Sequence, residues 1–119
     1  MDHFKLGTFK LAIQQDGQNE IYILKVCNKT LIRTNIFCIE LREVVADALR
    51  LPPNQSVNFN LEDHLLSFHN IKPMRIHTIG HNPSELTYMI RLSSIRGDEY
   101  VSLINRKIMT KLLHWLNGQ

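Results

Sequence analysis

The sequence predicts an α+β fold in one domain, residues 1–119: an antiparallel sheet of about six to eight strands with two amphipathic helices on one face. Three observations predict it. Short runs of apolar–polar alternation recur between turn signals. Twice, near Leu41 and near Ile108, the period changes to that of a helix. The 119 residues, 44% hydrophobic and 21% charged, are enough for one core and too few for two.

Phe9, Leu11 and Ile13 alternate with Lys10, Ala12 and Gln14, the pattern of a half-buried strand. Phe4 and Leu6 fall in the opposite phase, and Gly7 is placed to reconcile the two as a bulge. Asp16-Gly17 then turns the chain into Ile21–Val26 as a hairpin. Asn28-Lys29 makes the next turn, before a strand at Leu31–Ile36. Leu41, Val44, Val45, Ala48 and Leu49 recur at helical spacing, with Glu40, Arg42, Glu43, Asp47 and Arg50 on the far side. Pro52-Pro53 stops that helix.

The second half repeats the scheme. Val57, Phe59 and Leu61 alternate, Glu62-Asp63 turns, and Leu66 and Phe68 alternate with Ser67 and His69. Lys72-Pro73 interrupts before Met74 and Ile76, and residues 80–84 read as a loop. Leu86, Tyr88, Ile90 and Leu92 give the cleanest alternation in the chain, and Arg96-Gly97-Asp98 turns into Tyr100-Val101. Ser102 is placed to cap a helix carrying Ile104, Ile108, Leu112, Trp115 and Leu116 on one stripe, closed by Gly118. The core is expected at Leu41, Val45, Leu49, Ile90, Leu112 and Trp115.

Laying Glu20–Val26 over Glu85–Arg91 gives an internal strand-strand-helix pseudo-repeat, with halves at 1–52 and 53–119. In topology this order resembles single-stranded nucleic-acid binders of the Pur-alpha and whirly kind. The likeness is one of element order, with no shared motif behind it.

Several function classes drop out on composition. No apolar run reaches the roughly 18 residues of a membrane helix, and MDHFKLGTFK lacks an apolar signal segment. The expected setting is therefore cytoplasmic, with no membrane partner. Cys27 and Cys38 are too few for a disulfide framework and are expected buried and reduced in their apolar flanks. In such a setting the sequons at Asn28 and Asn54 carry no meaning. There is no Gly-rich phosphate loop, nucleophile elbow or His-Glu-x-x-His helix, so the expectation is a non-enzymatic protein with no catalytic residue and no cofactor. His64, His69, His77 and His81 cluster in one stretch. A zinc site there competes with the plainer reading of polar residues on a sheet face and in loops, and no metal is expected.

Charge placement points further. The net charge is +3, and every acid is expected at a terminus, a turn or on the first helix. Lys5, Lys10, Lys25, Arg33, Arg75 and Arg91 enter the strands instead. If both helices cover one face, the other is basic and suits phosphate backbones. The expected contacts are Lys25, Arg33, Arg75 and Arg91, with His69 and His77 beside them. Involvement of the histidines would make binding tighter near pH 6 than near pH 8. Against this, Lys also protects solvated sheet edges, and aromatic platforms are scarce, with Tyr22 the candidate exception. The leading expectation is a small binding domain for single-stranded nucleic acid. The alternative is a protein-interaction or adaptor module acting as a homodimer through a sheet edge or a helix. A homodimer is expected in either case, because the open sheet edges are templates for pairing. Lys107, Lys111 and His114 form a second positive stripe, read as a solvated helix face.

Overall fold

A computed structural model describes residues 2–34, 38–61, 63–71 and 87–118. The first half of the chain forms four strands and a helix: β1 (Asp2–Leu6), β2 (Phe9–Asp16), β3 (Asn19–Val26), β4 (Lys29–Thr34) and α1 (Cys38–Arg50). The second half repeats that order with β5 (Ser56–Leu61), β6 (His64–Ile71), β7 (Thr87–Ser94), β8 (Glu99–Asn105) and α2 (Arg106–Asn117). The α+β class is as expected, but the single sheet is corrected. The described strands form two antiparallel four-stranded sheets, ordered β1-β2-β3-β4 and β5-β6-β7-β8. Each is a meander whose neighbours are joined in chain order, and the helix between β4 and β5 ends the first.

One core lies between the layers. Phe9, Leu11, Tyr22 and Leu24 from the first sheet meet Phe68, Tyr88, Ile90 and Leu92 from the second in the same buried cluster. Leu41, Val45, Leu112 and Leu116 complete it from the helices. α1 packs mainly on α2 and on β5 and β6 of the second sheet, and α2 packs on β8, β7 and β1. The first helix thus crosses over to the sheet that follows it. Arg42, expected on the solvent side, is half-buried and donates from Nε to the Leu116 carbonyl at 2.8 Å, satisfying a helix-end acceptor. Leu49 and Trp115 lie half-buried against the core, with the Trp115 ring tilted at 40° to that of Phe4, centroids 5.6 Å apart.

Several local expectations shift for identifiable reasons. Gly7 is a turn residue at φ +65° between two separate strands, not a bulge, and a Cβ there would run into the Ser102 hydroxyl. Ser102 caps no helix. It sits inside β8, where its hydroxyl donates to Leu6 O at 2.7 Å and accepts from Thr8 N. The cap is Asn105, whose Oδ1 accepts from Ile108 N at 2.9 Å. Cys27 is exposed, because it and Asn28 both take positive φ in the β3–β4 turn. The overlay of Glu20–Val26 on 85–91 is one residue out of phase. The core takes Tyr22 and Leu24 from β3 and Tyr88 and Ile90 from β7, and a slip of one residue turns every side chain to the other face.

Candidate nucleic-acid interface

The register of the first sheet decides which side chains share its outer face. Leu11 pairs with Leu24 and Phe9 with Val26, which sends these residues inward. Their neighbours Lys10 and Lys25 are then paired on the outside, and Lys5 pairs with Lys10 from β1. Thr30 on β4 pairs with Lys25 and continues the row. Three lysines therefore stand directly cross-strand, Cβ atoms about 5 Å apart. The adjacent row holds His3, Ala12, Ile23 and Arg33. Ala12 and Ile23 are buried there without joining the core cluster, flanked in the register by Lys10, Gln14, Lys25 and Arg33.

No ion pair to a described residue neutralises Lys5, Lys10, Lys25 or Arg33. The acid in phase with them, Asp16, lies six residues from Lys10 at the hairpin turn, about 20 Å along the strand. Like charges in direct register destabilise a sheet. A polyanion laid across the row would remove that repulsion.

The outer face of the second sheet has the same topology and a different chemistry. Its rows run Ser56, His69, Met89, Leu103 and Asn58, Ser67, Arg91, Val101. Glu99, the first residue of β8, lies on this face, and its Oε1 is 2.9 Å from Arg91 Nε. The Nε–H is not directed at that oxygen, so the contact is an ion pair rather than a hydrogen bond. His69 is held below the ordinary imidazole range, first by burial and then by the Arg91 guanidinium. Its Nε2 is buried and meets no hydrogen-bond partner among the described residues. His69 therefore stays neutral to lower pH than a free imidazole, which removes it as a source of tighter binding near pH 6.

The expected contact residues are thus divided. Lys25 and Arg33 share the first sheet's outer face, and His69 and Arg91 share the second's. Arg75 and His77 lie outside the described residues, as does His81. Lys5 and Lys10 complete the basic row but were not among the expected contacts. The signal for them was present, since both have outward parity on strands whose inward residues are apolar. Tyr22 is no platform on this face, being 1% exposed in the core with its hydroxyl on Glu20 Oε2 at 3.1 Å. His64 and His69 fall on opposite faces of β6, and no group of three metal-ligating side chains occurs among the described residues.

At the β4 edge the lysine row meets a cleft of about 310 Å³. Lys29 and Thr30 form one wall; Asp63, Ser94, Arg96 and Tyr100 are on the other. That second wall is tied together through the backbone: Ile95 N donates to Asp63 O at 3.0 Å, and Ser94 N donates to Asp98 O at 2.9 Å. A smaller recess of about 110 Å³ shares His64 with the cleft and reaches Arg33. Comparison with protein-family models, with curated proteins and with solved structures finds no match for this chain.

Proposed function

We propose that the protein is a small non-enzymatic cytoplasmic domain that binds single-stranded nucleic acid across the outer face of its first sheet. One observation carries the reading: Lys5, Lys10 and Lys25 stand in direct cross-strand register, with no acid in the row. Phosphates take their place beside such cations without reference to sequence. Arg33 extends the face toward β4, and Arg75 and His77 belong to the proposal on sequence alone. Arg91 contributes less, because Glu99 already offsets its charge.

A fluorescence-anisotropy titration with a labelled single-stranded oligonucleotide at low salt tests this. Lys10→Glu reverses the central charge and should weaken binding of every sequence alike, lowering the salt slope by about one unit or more. Arg91→Ala and Lys107→Ala should leave that slope within error. Equal losses in all three variants would mean that the face has no special part.

A second reading rests on the other sheet. Val101 and Leu103 are exposed apolar residues at 42% and 59%, on the edge strand β8. They suit a protein-interaction module or a homodimer joined through that sheet. Failure to bind any oligonucleotide at tens of micromolar protein would leave this reading in front.

A further inference from the structure

The cleft beside β4 differs in charge from the face it adjoins. Lys29 and Arg96 are matched there by Asp63 and Asp98, so it holds no net charge, whereas the lysine row has none of its cations matched. A site for phosphate would keep its cations and exclude carboxylates. This one offers carboxylate acceptors, a half-buried tyrosine ring and a volume at the lower end of small-ligand pockets. Those are the groups that read an unstacked base: a ring to lie against, and acceptors for the N–H groups of its Watson–Crick edge. Thr30 belongs to both surfaces, being the fourth member of the lysine row and part of the cleft wall.

We infer that the cleft takes one nucleobase of the strand whose phosphates cross the lysine row, and that Tyr100, Asp63 and Asp98 are its base-reading residues. The inference rests on the nucleic-acid reading above and adds a source of base preference to it. Tyr100 stacks on the base, and the two carboxylates accept from its N–H groups. Cytosine, adenine and guanine each present an exocyclic amino group on that edge. Thymine and uracil present a single N–H between two carbonyl oxygens, which the carboxylates repel. The order of affinity is therefore set against thymine and uracil. Lys29 and Arg96, in the same lining, supply cations for the flanking phosphates.

The test is an anisotropy titration of the full chain with oligo-dC, oligo-dA and oligo-dT of equal length at several salt concentrations. Wild-type protein should bind oligo-dT about tenfold more weakly than oligo-dC, the scale of one well-read base. The double variant Asp63→Asn, Asp98→Asn keeps the size of both side chains and leaves the backbone bonds of the turn in place. It should bring the ratio of oligo-dC to oligo-dT close to one with the salt slope unchanged. Tyr100→Leu should weaken all three oligonucleotides by several-fold, again at constant slope. If the three bind equally well to wild type while Lys10→Glu still weakens them, the lysine row stands and the base pocket is overturned. An undiminished preference in the double variant overturns it too. If nothing binds at low salt, the nucleic-acid reading fails first and takes the pocket with it.

Discussion

Beyond the shared core, the edges of the two sheets approach each other differently at two places among the described residues. Where the β1–β2 turn meets β8, the contact is sealed: Ser102 bridges Thr8 N and Leu6 O, Thr8 Oγ1 donates to Val101 O, and Gly7 leaves no room for a side chain. Where β4 approaches the start of β6 and the β7–β8 turn, a cleft stays open, lined by charged side chains of both signs. A serine inside a strand does structural work at the first place because the polar groups facing it are backbone. At the second the polar groups are exposed side chains, free to meet something else. Similar strand edges thus close on each other at one end and leave a cleft at the other.

The largest effect should come from the core beneath both places. Leu112 is 1% exposed, and Leu6, Leu11, Leu24 and Leu66 line with it a small void of about 20 Å³. Leu112→Ala should cost about 2–5 kcal/mol in denaturant unfolding. A loss well under 1 kcal/mol would mean that the two sheets do not share one core. Next comes the sealed contact itself. Ser102→Ala leaves Thr8 N and Leu6 O without their partner and should cost about 1–3 kcal/mol. Thr30→Ala at the open cleft should stay within about 0.5 kcal/mol. Equal losses at both would erase the comparison.

The smallest effect is one of pH. His69 binds its proton less readily in the folded chain than in the unfolded one, so the unfolded state carries the extra proton below the ordinary imidazole range. Stability should therefore be full above about pH 6.5, where both states are neutral, and should decline as the pH falls below it. His69→Gln should flatten that decline in thermal melts between about pH 5 and 7. A melting profile unchanged by the substitution would show that another group governs the acid side.

Much of this was legible in the chain, and the misses have physical causes. Alternation at Phe9–Ile13 and Thr87–Leu92 identified strand faces correctly, because burial on one side leaves a period of two. The helical stripe of Leu41, Val45 and Ala48 was equally plain, and all three are buried. The division into two sheets was not legible, since alternation says which face is inward but not which strand lies alongside. Ser102 was misread because a serine before a helical stripe looks like a cap whether or not the strand runs on. It is β8, continuing through Ile104, that moves the cap to Asn105. Arg91 kept its expected face but not its expected freedom. Its partner Glu99 sits eight residues away in sequence and becomes a neighbour only through the β7–β8 register.

The crossing of α1 onto the second sheet also bears on how the chain reaches its fold. Synthesis delivers the first meander and α1 before any strand of the second half exists, at about 5–20 residues per second. At that stage Phe9, Leu11, Tyr22 and Leu24 have only α1 within reach, and α1's eventual seat on β5 and β6 has not yet been made. α2, which packs back onto β1, comes last, at Arg106–Asn117. The nascent first half is thus a sheet with an oily side turned to water, the state in which meanders stick to one another. Closure depends on contacts far apart in sequence, which form slowly. A chain stopped anywhere before α2 would leave that apolar surface uncovered, the condition that makes partly folded chains aggregate, and the core is complete only once Arg106–Asn117 is present.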